Sequence, residues 1–344
     1  MRLDRGNNID YHLDERNKLC EAPLRQVIFD SPAHLFTSEI TYFVWEGLTM
    51  VHQIKSHCLT VTVAEHGAEL QSILSRDGTE YLWQGDAAYW TDRAPNLFPY
   101  VARLTDGRYY LDGQLYHMDI HGFAPYLDFT VREQQDARLV MELTSTEETL
   151  ADYPRAFAFR VGYELQENTL AVTYEVENRD ERNMYFGLGA HPGLRVPLRE
   201  GQRFEDYRLR FESPCCPRRV GFTDDCFLDG TDRPFSLVEG QFLPLTHSLF
   251  DDDAIVLKDA GHRVTLETAG DKRSVSVEFP GMDYLGLWHR PRTDAPYLCI
   301  EPWCSLPSTK GKIAVFEEQE DLIRLDPGDC YQNTWKLLFH GIGT

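Results

Sequence analysis

The sequence predicts an all-β chain, a sandwich or a barrel with few short helices. Three observations carry this reading. Apolar and polar residues alternate at period 2 almost throughout, turn signals recur between the alternating runs, and amphipathic helical spacing is scarce. Alternating β and α units would need a helical pattern between successive strands, which is missing.

The strand pattern begins at Met50 with MVHQIKSHCLTVTV, where Leu59, Val61 and Val63 alternate with polar residues. TEETLADYP is the best helix candidate, about two turns that stop before Pro154. AFAFRVGYEL then places Phe157, Phe159, Val161, Tyr163 and Leu165 on one face. TLAVTYEVEN repeats this with Leu170, Val172, Tyr174 and Val176, and SVSVEF with Val275, Val277 and Phe279. Arg76-Asp77-Gly78, Asp112-Gly113, Glu167-Asn168 and Pro327-Gly328 punctuate the strands. No internal repeat and no linker divides this body. The expected organisation is therefore a dispensable N-terminal extension, residues 1–49, before a single domain, residues 50–344. The extension joins a charged opening to a poorly alternating stretch, IFDSPAHLFTSEITYFVWEGL.

Composition narrows the function classes. The chain has 344 residues, 42% of them hydrophobic and 26% charged, enough apolar material for a large core. Its 34 Lys+Arg against 55 Asp+Glu give a net charge of −21, which repels a phosphate backbone and argues against nucleic acid as partner. No apolar run approaches the length of a membrane helix, and the opening lacks the apolar core of an export signal. The eight cysteines form no CxxC pair, which favours reduced thiols and a cytoplasmic location. No motif specifies an oligomeric state.

Chemistry is expected where the alternation breaks. His121, in MDIHGFAPYLDF, and His191, in FGLGAHPGL, stand among small residues that let a ligand approach closely. Glu301, in YLCIEPWCSLP, ends an apolar strand. A carboxylate there is costly unless paired or functional, and burial would raise its pKa toward that of a general base. Trp303 beside it offers a flat apolar face suited to the C–H face of a pyranose. Arg103 is the cation of the apolar stretch Leu97 to Leu104, and Asp251, Asp252 and Asp253 precede a strand. Dinucleotide, P-loop, G-x-S-x-G and HExxH templates all fail. A metal set of His121, His191 and Glu301 is conceivable by residue type, but the missing H-x-H pair argues against a cupin-like centre.

Taken together, AEHGAELQSI, GTEYLWQGDAAYW, APNLFPYVARLTDGRY, HGFAPYLDF, FGLGAHPGLRVPL and CIEPWCSLP resemble the aldose 1-epimerase (galactose mutarotase) family, in its short bacterial, lactose-operon-type branch. The resemblance runs from about Val51 to beyond Trp335. It implies a large antiparallel β-sandwich, the mutarotase-like supersandwich, with the sugar in an open groove. It further implies that His121 holds and polarises the sugar, that His191 is the acid at the ring oxygen, and that Glu301 is the base at the anomeric hydroxyl. Arg103 matches the family's sugar-contacting Arg, and Asp252 its hydroxyl-binding Asp, with Asp253 as rival. Phe123 stands where many galactose mutarotases carry Gly, and Pro125 where this branch has Arg, so both are expected to alter which sugar is held and galactose specificity does not carry over.

The expected activity is that of an isomerase, a cofactor-independent aldose 1-epimerase acting on a small-molecule hexose, free or phosphorylated, with no metal. Arg93 would join Arg103 if the sugar carries a phosphate. The expected pH profile is a bell with its acidic limb set by Glu301 and its basic limb by His191. Two other classes compete: a non-catalytic carbohydrate-binding or sugar-sensing module on the same fold, and a metal-dependent β-barrel enzyme.

Overall fold

The computed structural model describes residues 50–342. The extension, residues 1–49, lies outside the described residues. The first described strand, Val51–Lys55, follows Met50 directly.

Two large antiparallel sheets organise the chain. One has nine strands, in the order Phe242–Pro244, Tyr207–Phe211, Arg263–Thr268, Ser274–Glu278, Cys330–His340, Thr169–Asn178, Phe157–Gln166, Arg138–Thr144 and Thr130–Gln134. The other has eight. Its main path runs Leu228–Pro234, Arg218–Phe222, Ile255–Lys258, Tyr284–Trp288, Tyr297–Trp303, Gly189–Ala190 and Asn96–Leu97, and Gly193–Arg195 pairs with Tyr297–Trp303. Glu147–Asp152 is the α-helix among the described residues. Thr146 and Thr149 cap each other's backbone at its start, and it ends at Tyr153, ahead of Pro154. No helix among the described residues is long and apolar enough to cross a membrane.

Period-2 alternation explains how the sheets meet. Phe157, Phe159, Val161, Tyr163 and Leu165 face the same core as Leu170, Val172, Tyr174, Val176, Val275, Val277, Leu337 and Phe339. From the eight-stranded sheet, Ile255, Leu257, Leu285, Leu287, Leu298 and Ile300 complete that core. The result is an all-β sandwich, held by apolar burial between its two inner faces.

A polar knot crosses this interior. Asn96 Nδ2 donates to the carbonyls of Gly67 (2.9 Å) and Ala68 (3.0 Å), and its Oδ1 accepts from Tyr174 OH (2.8 Å). Tyr163 OH donates to the Ala68 carbonyl at 2.6 Å. Tyr163 and Tyr174 belong to the nine-stranded sheet, so Asn96 fixes the edge of the eight-stranded sheet against it. A buried network with its partners made rigidifies this register.

Candidate active site

The strand Tyr297–Trp303 is buried along its whole length and carries two different faces. Leu298 and Ile300 enter the sandwich core. Cys299, Glu301 and Trp303 project from the opposite face. Each of these three stands opposite a glycine on a neighbouring strand: Cys299 opposite Gly193, Glu301 opposite Gly286, Trp303 opposite Gly189. The glycines make the room. A Cβ on Gly189 would fall 2.7 Å from Trp303 Cδ1, and one on Gly286 would fall 3.1 Å from Glu301 Cβ.

His191 arrives from the bend between Gly189–Ala190 and Gly193–Arg195. Its Nε2 lies 3.3 Å from Glu301 Oε2. Glu301 is 1% exposed and His191 9%. Trp90 covers the imidazole with ring centroids 4.9 Å apart, and Trp288 meets it edge-on at 5.7 Å. His121 completes the cluster, its ring edge-on to His191 at 5.6 Å.

Backbone geometry sets the position of His121. The His121 N–H donates to the Ala102 carbonyl (3.0 Å), and the Ala102 N–H returns to His121 Nδ1 (3.1 Å). Nδ1 is thus the acceptor, and Nε2 carries the proton of the neutral ring. Phe123 and Ala124 both donate to the Phe98 carbonyl, pinning the same segment. Gly122, at φ +75°, is required here, since a Cβ would sit 2.3 Å from that carbonyl oxygen. Ala102, His121 and Asp253 also adopt positive φ (59°, 67° and 71°), a concentration of backbone strain around one site.

Burial dominates the electrostatics. It holds the Glu301 carboxyl well above the usual carboxylate range, helped by the charge of Asp253 and opposed by the Trp303 indole N–H. That indole N–H is close without making a well-formed hydrogen bond, because Trp303 Nε1 has no partner. Burial pushes His191 down to about 4, and holds His121 far below the usual imidazole range, assisted by His191 and Arg103. A desolvated pair at 3.3 Å therefore keeps one proton rather than two or none. His191 Nδ1, Glu301 Oε2 and Trp303 Nε1 are buried without hydrogen-bond partners, and polar atoms so placed are suited to receiving a ligand.

The structure gathers His121, His191, Glu301 and Trp303. Arg103 is exposed, with its charge acting on His121. Of the two aspartates, Asp253 faces this group, accepting from Cys226 Sγ at 3.3 Å and raising Glu301. Asp252 is exposed and acts on Arg219, which is paired with Leu257 of the core-facing row. Phe123 turns inward, stacking on Phe157 at 5.7 Å and meeting Phe98 edge-on at 5.9 Å. The guanidinium of Arg93 donates to the Gln71 carbonyl at 2.5 Å. Sequence reasoning missed the two tryptophans over His191. Trp90 lies inside a motif that carried the resemblance, while Trp288 had only its place at the end of a short alternating run as a signal.

Two imidazoles and a buried carboxyl thus meet on one sheet face of an antiparallel sandwich. The chain matches the aldose 1-epimerase family over residues 50–337 and belongs to it. Protein LacX of Lactococcus lactis subsp. lactis is 31% identical over 299 residues, covering 84% of this chain and 99% of that one. Two solved structures are similar. A galactose mutarotase related enzyme from Lactobacillus acidophilus has TM-score 0.80 and 31% identity, over 85% of this chain and 98% of that one. A galactose mutarotase-like protein from Lactobacillus casei has TM-score 0.79 and 31% identity, over 84% of this chain and all of that one (100%). The family makes this chain an epimerase with a mutarotase-type role on a sugar.

Proposed function

We propose that this protein is a cofactor-independent aldose 1-epimerase that interconverts the α and β anomers of a neutral aldohexose. The observation that carries the reading is the buried His191–Glu301 contact at 3.3 Å, with His121 at its edge. With the pair's one proton on His191, Glu301 takes the proton of the anomeric hydroxyl while His191 protonates the ring oxygen. The C1–O5 bond breaks and C1 becomes an aldehyde. The proton now rests on Glu301 beside a neutral His191, the distribution that burial favours. Rotation about C1–C2 presents the other carbonyl face. The O5 hydroxyl attacks it as His191 recovers its proton, and Glu301 returns a proton to O1. Two opposed proton transfers suffice, each contributing roughly 10²–10⁴-fold.

His121 Nε2–H is the donor that polarises the sugar, Asp253 and Arg103 hold hydroxyls, and Trp303 forms the floor. A neutral sugar suits this setting. Glu301 and Asp253 place carboxyls in the site, the chain carries −21 overall, and Arg93 is engaged by Gln71. Polarimetry on freshly dissolved α-D-glucose, α-D-galactose and glucose 6-phosphate tests the reading. Acceleration is expected on the neutral sugars and should be weaker on the phosphate. Buffer rates on every aldose, together with sugar binding by calorimetry, would instead support a binding module.

A further inference from the structure

One group in the site has no part in mutarotation. Cys299 is fully buried and sits two residues before Glu301 on the same strand face. One candidate ligand atom each from His191, Cys299 and Glu301 lies within 4.8 Å of the other two. Glu301 Oε2 and His191 Nδ1 are both buried without hydrogen-bond partners. His121 is disqualified as a fourth ligand. Its Nδ1 is used by the Ala102 N–H, which keeps the proton on Nε2.

A thiolate, an imidazole and a carboxylate form a mixed S/N/O set. Hard cations such as Mg²⁺ or Ca²⁺ prefer oxygen alone, whereas Zn²⁺ takes all three donor types. Metal–ligand bonds of about 2.0–2.3 Å put tetrahedral ligand atoms roughly 3.3–3.8 Å apart. The three atoms, now within 4.8 Å of one another, must therefore close by up to roughly 1–1.5 Å, a movement shared among the three side chains. Three protein ligands leave a fourth position for water.

We propose that His191, Cys299 and Glu301 form a Zn²⁺ site that inhibits the enzyme by occupying its acid/base pair. As the Zn–S bond forms, the Cys299 thiol proton is released to solvent, and any proton held on Glu301 leaves with it. The charge balance favours binding, since one divalent cation neutralises two anionic ligands, thiolate and carboxylate, that burial otherwise disfavours. The inhibitory half of the proposal rests on the mutarotase reading. The binding half does not.

Co²⁺ titration of the full chain provides the test, because a thiolate ligand gives a sulfur-to-cobalt charge-transfer band and a four-coordinate site gives intense d–d bands. One Co²⁺ per chain with both features is expected, displaced by Zn²⁺ and suppressed by a saturating concentration of whichever of α-D-glucose and α-D-galactose the enzyme turns over. Cys299→Ser and Cys299→Ala should each lose the charge-transfer band and weaken Co²⁺ binding by about 10-fold or more, with melting curves reporting their folding. Absence of the band in the unmodified chain would overturn the site. So would its persistence in both variants, which would assign the thiolate to another cysteine. A band indifferent to sugar would overturn the inhibition. Spectroscopic binding without any mutarotation would keep the metal site and remove the mutarotase reading, whereas mutarotation without the band would do the reverse.

Discussion

His191 and Glu301 each adopt the protonation state that their own burial dictates, and the pH dependence follows from the pair. In the proposed mechanism the singly protonated pair is the working form. Its second protonation belongs to an imidazole pushed down to about 4, and loss of its one proton belongs to a carboxyl held well above 4.5. The kcat/KM profile should therefore be a bell with its acidic limb near His191's lowered value and its basic limb set by Glu301. This reverses the order expected from sequence, because spacing cannot report how completely both groups are desolvated. The same shifts bear on stability. Between 4.5 and its raised folded value, Glu301 holds its proton in the folded chain but loses it in the unfolded one, so stability falls as pH rises through that window. For His191 the unfolded chain binds the proton first, so stability falls as pH drops from 6.5 toward about 4. Thermal melts should show Glu301→Gln at least as stable as the unmodified protein at about pH 8, with that advantage gone near pH 4. A lower Tm for the variant at both pH values would mark Glu301 as a structural group.

At the scale of elements, the site depends on two close backbone approaches. The His121 segment hangs on the Phe98 carbonyl, and Gly122 permits it. Gly122→Ala combines a positive-φ penalty of about 1–3 kcal/mol with the steric clash at that carbonyl. It should lower Tm and reduce kcat, since His121 is displaced. Gly286→Ala is milder, because the backbone there is extended and the neighbours are the side chains of Glu301 and Trp303. Its expected signature is reduced kcat with a smaller loss of stability, read by polarimetry and melts on the same samples. The strands themselves were legible in the sequence. Leu170, Val172, Tyr174 and Val176 alternate as expected, and the short helix stops where Pro154 requires. What alternation could not reveal was the second face of Tyr297–Trp303, where Glu301 and Cys299 are as buried as Ile300. Nor could it separate Asp252 from Asp253, because only the folded turn sets Asp253 against Cys226 and near Glu301 while Asp252 stays exposed.

At the scale of the whole molecule, the sandwich supplies a rigid sheet face and the loops bring imidazoles to it. The order of motifs along the chain makes this architecture readable in the sequence. The aromatic cover of His191 is not, because Trp90 and Trp288 come from segments far apart in sequence and meet only in the fold. The family match begins at residue 50, and the core residues among those described run from Ile54 to Phe339. A chain beginning at Met50 should therefore fold and retain full mutarotation. Loss of cooperative melting or of activity in that chain would assign residues 1–49 a necessary role. Asn96→Ala should destabilise the whole sandwich, because it leaves the Tyr174 hydroxyl and the Gly67 carbonyl without their buried partner, while the Ala68 carbonyl keeps Tyr163 OH. A cost of about 1–3 kcal/mol is expected for each group left unsatisfied.

In the proposed mechanism Glu301 moves the proton of the anomeric hydroxyl. Polarimetric kcat of Glu301→Gln, on whichever neutral aldohexose the unmodified enzyme turns over, addresses it directly, since the amide keeps the shape and removes the proton acceptor. A fall of about 10²-fold or more with sugar affinity little changed is the predicted result. A correctly folded Glu301→Gln protein with undiminished kcat would contradict it.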